Sequence, residues 1–447
     1  SFSFSRHQAG AAMTSAKAVE APGTVLVYSH SWVPLQVDGV AVRMMAHIRE
    51  LVDRGVKVTV VTPDFVVPGH SSAEKKQADR IDGVEHITLQ TQLTPVYKKN
   101  MCMQISFRNL ITLVSVIRRV RPDIVHGTQE ASMQVLATAC LLCDVPLVVS
   151  VHTDVTQIAN RDKAFSSMGG LLGSLQKFLA VSMTNWGYRN WALAGATYFC
   201  VSEQAKTILR NAAVREKRVA PELWGPMVDK SIFRIDLPEA VVREKRETLT
   251  FGIKDAFLMV YVGRVTAEKD VQFLVDALER APSNVVLGLI GAGSLCEELS
   301  KLHGKEHRIH CTGEMVSREQ VALSIRAADC CVSASTMETV GFTAMEALSC
   351  GTPMLAANAQ GFALHLSHGV NARLWTPLDT GSFDAELATL MSTKREGNWS
   401  KEALRASIQP WSLEACTNRA LRTYQLAFKP NYWSFRMALT VFFFYLN

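Results

Sequence analysis

Short apolar runs alternate along this chain with longer stretches whose apolar positions recur every three or four residues. Val25-Leu-Val-Tyr-Ser-His30 reads as a strand. Val40, Met44, Ile48 and Leu51 then mark one face of a helix that stops near Gly55. The same reasoning predicts strands at 56–61 and 84–89 and a helix at 110–120 halted before Pro122. Strands at 123–126 and 146–152 follow, then helices to about Gly195 and a strand at 197–201. Alternation of this kind predicts a parallel sheet covered by helices on both faces.

A second alternation begins at Phe257-Leu-Met-Val-Tyr-Val-Gly-Arg264. It predicts helices at 271–278, 295–302 and 318–327, and strands at 285–290, 309–311, 330–333 and 354–357. Residues 222–247 read as the join, and helical pieces at 404–408 and 413–428 follow the second alternation. The expected architecture is α/β, with two doubly wound domains whose strand ends face a common cleft. The expected boundaries are a leader at 1–23, a first domain at 24–222 and a second at 223–412. A crossover helix at 413–430 that packs back on the first domain and an apolar tail at 431–447 complete the plan.

A chain of 447 residues exceeds one ordinary core, and 48% hydrophobic with 20% charged residues describes a globular protein. The net charge of +6 is uneven: residues 1–220 hold 24 Lys and Arg against 16 Asp and Glu, and the remainder is nearly balanced. That asymmetry suggests an anionic partner for the first half. No compact Lys/Arg tract with interleaved aromatics occurs, so acidic lipid is the expected surface and nucleic acid is not. The ten cysteines lack regular spacing, and Cys140-Leu-Leu-Cys143 and Cys330-Cys331 read as core. The leader is Ser/Ala-rich with few acids, in the manner of an organelle transit peptide, with Met13 an alternative start. The tail from Met437 to Leu446 is far shorter than the roughly 20 residues a spanning helix needs. It reads either as an interfacial anchor with Tyr432, Trp433 and Phe435 or as part of a hydrophobic segment.

The chemistry concentrates in Glu338-Thr-Val-Gly-Phe-Thr-Ala-Met-Glu346, between a strand and a helix. Unpartnered amides and the dipole make a helix start an anion site. Two carboxylates beside such a site suit hydroxyl groups better than charge, which points to a sugar joined to a nucleotide. Arg264 and Lys269, at a strand end and a helix start, are two cations suited to a departing diphosphate. Gly39, in a loop before a helix, allows close backbone approach to the same group. His152 ends an apolar strand at the cleft face, and no metal-ligand cluster of ordinary spacing appears.

The chain resembles the GT-B retaining glycosyltransferases of family 4. The resemblance rests on Val37-Asp-Gly-Val40, Pro122-Asp-Ile-Val-His126, Ser150-Val-His-Thr153, Gly263-Arg-Val-Thr-Ala-Glu-Lys269, Thr312-Gly-Glu314 and Glu338–Glu346, in the family's order. It implies a diphosphate role for Arg264 and Lys269 and a ribose role for Glu346. It also implies contact of Glu338 and His152 with the transferred sugar, and base contact by the loop at Glu314 and Met315. Val340, Gly341 and Phe342 complete the implied donor turn. Neither a cofactor nor an obligatory metal is implied, and the usual view of the family is a front-face mechanism with Glu338 as a positioning group. His126 is left as structural.

Within that family the first half is most similar to the sulfoquinovosyltransferases of photosynthetic membranes, through 34–64, Ser150-Val-His-Thr153 and Leu223-Trp-Gly-Pro-Met-Val-Asp229. That similarity implies UDP-sulfoquinovose as donor, diacylglycerol as acceptor, peripheral membrane contact and a plastid address; the alternative address is the cytoplasmic face of another membrane. Ala359-Gln-Gly-Phe-Ala-Leu364 and Pro226-Met-Val-Asp229 depart from the family pattern and bear on the sugar's identity. Segments 97–108 and 165–179 mix cations with Met, Ile, Leu and Phe, and read either as acceptor surfaces that enter a headgroup layer or as packed helices with a wet edge. The competing readings are a mannosyl- or glucosyltransferase with another lipid or glycan, a UDP-sugar 2-epimerase, and a non-catalytic scaffold.

Overall fold

The computed structural model describes residues 21–33, 35–36, 39–66, 80–93, 101–152, 170–314, 316–336, 338, 340–359, 361–363, 365–395 and 399–427. Its first lobe contains β1 (Thr24–Tyr28), α1 (Gly39–Asp53), β2 (Lys57–Pro63), β3 (Glu85–Leu89), β4 (Thr91–Leu93) and β5 (Met101–Met103). It continues with α2 (Phe107–Val120), β6 (Ile124–Thr128), α3 (Met133–Leu142), β7 (Leu147–Val151), α4 (Gly170–Leu193), β8 (Thr197–Cys200) and α5 (Glu203–Asn211). The second lobe runs α6 (Glu239–Thr250), β9 (Phe257–Val262), α7 (Val271–Arg280), β10 (Val285–Ile290), α8 (Cys296–Leu299), β11 (Ile309–Cys311), α9 (Arg318–Ala327) and β12 (Cys330–Ser333). Then come α10 (Phe342–Ser349), β13 (Met354–Ala357), β14 (Ala372–Trp375), α11 (Thr380–Arg395), α12 (Lys401–Ser407) and α13 (Leu413–Gln425).

Each lobe is built on a six-stranded parallel sheet, ordered β3-β2-β1-β6-β7-β8 and β11-β10-β9-β12-β13-β14. The two orders are the same permutation. Strand direction of winding reverses between β1 and β6 in one lobe and between β9 and β12 in the other, and loops part at such points to leave a crevice. The strands at these positions are buried along nearly their whole length, which is why they read as continuous apolar runs.

Several expectations needed correction. Residues 222–247 are not only a join, because α6 begins at Glu239 and packs on α9; it buries only Val242, Leu249 and Thr250, too thin a stripe for periodicity to show. The helix expected at 295–302 is a single α-turn followed by a 3-10 turn at Ser300–Leu302. Gly39 is the first residue of α1, not a loop residue. The antiparallel pair β4–β5, the edge strand β14 and helix α11 were not anticipated.

The chain crosses between lobes twice, side by side. Val228 N donates to the Trp411 carbonyl and Leu413 N to the Val228 carbonyl, both at 3.3 Å. Helix α13 then returns to the first lobe, where His47 Nε2 and His126 Nδ1 share the Tyr424 hydroxyl at 2.9 and 2.7 Å. Arg422 grips Glu222 with two nitrogens, at 2.6 and 2.8 Å, tying helix to hinge. All ten cysteines are free, and Cys140, Cys330 and Cys331 lie in the cores.

Candidate active site

Two loops meet at the second lobe's switch point. After β9 the chain passes Gly263 and Arg264 to a 3-10 turn at Ala267–Lys269, and after β12 it passes Ser335 and Glu338 to the Gly341 turn. They are stitched together: Lys269 Nζ lies 2.6 Å from Glu338 Oε1, with both side chains about four-fifths buried. The Asp270 carboxylate also accepts from the backbone N–H and hydroxyl of Thr336, at 3.2 and 3.0 Å. Gly341 sits at φ 69°, and a Cβ there would lie 2.6 Å from the Phe362 ring, so the turn demands glycine. That turn launches α10, on which Glu346 is 6% exposed and accepts from Arg318 at 2.9 Å. The Arg318 guanidinium is held in place over the Phe233 ring, 4.7 Å from its centroid.

Around these charges the hydroxyls of Thr266 and Ser335 are buried and lack partners among the described residues. Buried hydroxyls are normally satisfied, so they mark where a polar ligand belongs. His365 is buried against the Gly341 turn, and burial lowers its pKa to about 4, leaving a neutral ring. Arg264 behaves differently from Lys269. Its side chain is 67% exposed and lies 2.5 Å from Glu268, so in this state it faces solvent. Glu314 is exposed, with its carbonyl accepting from Thr312 at 3.3 Å, and Met315 lies outside the described residues.

The first lobe presents a different surface. His152 is 7% exposed at the end of β7, with its backbone N–H donating to Gln129 at 3.1 Å. Arg43 Nη1 is 3.2 Å from His152 Nδ1, and guanidinium nitrogens only donate. Nδ1 is therefore the acceptor and Nε2 carries the proton, which it donates to Ser150 Oγ at 2.8 Å. Burial, then the Arg43 charge, hold the His152 pKa well below the usual imidazole range. A neutral ring with both nitrogens engaged is a hydrogen-bonding group, not a free base.

The lobes touch where these surfaces meet. A Cβ on Gly39 would lie 3.0 Å from Phe342, the first residue of α10. Arg43 crosses the same seam, 4.8 Å from the centroid of that ring. Val340 joins Val40 and Met44 in one apolar cluster. The fold thus gathers Gly39, His152, Lys269, Glu338, Val340, Gly341 and Phe342 along one seam, with Glu346 a turn deeper. Arg43, Arg318, Thr266, Ser335 and His365 escaped the sequence reading. Arg43 had left a signal, since it shares the apolar face of α1 with Val40 and Met44.

These features define a GT-B glycosyltransferase, and the chain belongs to that class within family 4 and group 1. The model described as Glycosyltransferase Family 4 matches residues 37–221, and the one described as Glycosyl transferases group 1 matches 256–393. The chain is similar to the sulfoquinovosyl transferase SQD2 of Arabidopsis thaliana, 26% identical over 388 residues, covering 86% of this chain and 69% of that protein. It is also similar to the alpha-monoglucosyldiacylglycerol synthase of Streptococcus pneumoniae, 27% identical over 56% of this chain and 55% of that protein. Among solved structures, Anabaena HepE in complex with UDP superposes with a TM-score of 0.66 at 17% identity, covering 90% of this chain and 99% of that one. That last likeness concerns the fold.

Proposed function

We propose that this glycosyltransferase moves sulfoquinovose from its UDP form to diacylglycerol at a plastid membrane surface, with retention of anomeric configuration. The observation that carries the donor half is the seam itself. On the second lobe Lys269 pairs with Glu338 beside the Gly341 turn that launches α10; on the first, the neutral His152 is bonded to Arg43, which meets Phe342 across the seam. In this reading α10 amides, Lys269 and a reoriented Arg264 hold the diphosphate, Glu346 the ribose and Glu338 the sugar hydroxyls. The Glu314–Met315 loop meets the base. Charge on the leaving diphosphate is matched by cations of the chain, so the reaction has no resident cofactor and no obligatory metal. The acceptor hydroxyl attacks on the face the leaving group departs from, with Glu338 orienting the donor.

Two observations support the lipid half. The Streptococcus relative is named for making a glucosyldiacylglycerol, and the Arabidopsis relative for transferring a sulfoquinovosyl group. On the first lobe, Leu179, Met183 and Trp186 follow i, i+4, i+7 spacing on α4 and are 50%, 48% and 37% exposed, joined by Phe178 at 67%. Phe107 and Ile111 add exposed apolar area on α2, beside Arg108. An apolar stripe with neighbouring cations suits the boundary between headgroups and acyl chains of an anionic leaflet. Among the described residues no helix is long and apolar enough to cross a membrane, which makes the contact peripheral within that part of the chain.

The likeness to the monoglucosyldiacylglycerol synthase makes UDP-glucose the second donor to test. The experiment incubates the protein with vesicles of phosphatidylglycerol and diacylglycerol, supplies UDP-sulfoquinovose or UDP-glucose with and without EDTA, and follows UDP release and product anomer. Formation of α-sulfoquinovosyldiacylglycerol in the presence of EDTA is expected. Transfer only from UDP-glucose would select the second reading. Donor turnover without diacylglycerol would select an epimerase, and no nucleotide binding would leave a scaffold.

A further inference from the structure

One buried charge lacks a complete set of partners. Arg43 is 2% exposed, yet its Nε and Nη2 have no hydrogen-bond acceptor among the described residues. Among the described residues its one polar contact is to the neutral imidazole of His152. Other arginines shielded from solvent are better served. Arg326, 8% exposed, donates to the Glu239 carboxylate and the Ile235 carbonyl. Arg405 reaches three carbonyls, and Arg246 two carbonyls and Asp329. A buried guanidinium with open donors is unfavourable unless something fills them. Burial lowers its pKa only to about 10, so the charge persists at neutral pH.

We infer that Arg43 reads a negatively charged substituent, of sulfonate type, on the transferred sugar. The inference rests on the donor proposed above and deepens it. Position argues for the sugar over the diphosphate. Of the groups read for the diphosphate, Lys269 and the start of α10 belong to the second lobe and Gly39 opens α1 of the first; Arg43 stands one turn further along α1 and is bonded to His152, the group read for the sugar. Chemistry argues for an oxyanion, because the guanidinium fork engages two oxygens of such a group in parallel. Phe342 covers the guanidinium face, 4.8 Å from its centroid, so a donor entering the seam displaces this ring. A neutral hexose leaves Nε and Nη2 empty, and a site with unfilled buried donors discriminates against the ligand that fails to fill them.

Calorimetric titration of wild type, Arg43→Met and Arg43→Lys with UDP, UDP-glucose and UDP-sulfoquinovose tests this. Wild type is expected to bind UDP-sulfoquinovose about tenfold or more tightly than UDP-glucose. Arg43→Met erases that preference, and Arg43→Lys, which keeps charge without the fork, retains part of it. UDP affinity stays within about twofold in all three, which also reports a folded donor lobe. If the preference survives in Arg43→Met, the assignment of Arg43 falls while the donor reading stands. A loss shared equally by UDP in both variants places Arg43 on the diphosphate and overturns the inference. A wild type that prefers UDP-glucose overturns the donor reading, and this inference with it.

Discussion

The two lobes share one strand order but meet the seam with opposite electrostatics. The second lobe offers ionised groups already in pairs, Lys269 with Glu338 and Arg318 with Glu346. The first offers neutral rings: His47, His126 and His152 pack edge-on or tilted around Trp224 at 5.1 to 5.7 Å, with Arg43 5.6 Å from the same ring. Burial pushes all three of these histidines below their ordinary pKa, His126 to about 3. In the proposed reaction this division puts charge stabilisation on the side of the leaving group and a desolvated wall opposite, where water would otherwise compete with the acceptor.

The sharpest way to break this contrast is on the charged side. Lys269→Ala removes a fixed cation from the diphosphate and is expected to lower kcat by about 10²–10³-fold, with a smaller change in KM, read by UDP release. Glu346→Ala is expected to weaken UDP binding by roughly tenfold or more, since a hydrogen bond to a charged group contributes about 1.5–3 kcal/mol. Wild-type kinetics in both variants would remove the second lobe from the reaction.

The neutral side is tested by acid. His126 is protonated more readily in the unfolded chain, near 6.5, than in the folded one, near 3. Its contribution to stability is therefore complete above pH 6.5 and is lost as pH falls toward 3. Each such ring gives a slope of up to about 1.4 kcal/mol per pH unit inside that window. The melting temperature should drop between pH 6.5 and 4, and less steeply in His126→Asn; an unchanged slope would reassign the acid sensitivity. The smallest expected effect is on the outer face. Leu179→Glu with Trp186→Glu should reduce flotation with anionic vesicles severalfold and leave UDP affinity untouched. Unaltered flotation would move the membrane contact elsewhere.

Much of the candidate site's backbone geometry could be read in advance because it is local. The Gly341 turn needs a positive φ, Glu338 lies three residues before it, and Phe342 and Glu346 follow from it by helix geometry. Arg43 could not be read that way. It is 109 positions from His152, and His47 is 377 from Tyr424, so neither partner is visible in any window of sequence. Arg264 was legible as a cation at a strand end, but its 67% exposed side chain and its pairing with Glu268 were not.

Alternating apolar runs were enough to specify two parallel sheets, since each strand and helix records its own burial in its own residues. Their identical winding, the partners that α13 meets on the first lobe and the choice of ion pairs came only with the assembled chain. Desolvation and pairing depend on which distant groups arrive at the same place, and that information is spread over contacts between elements far apart in sequence.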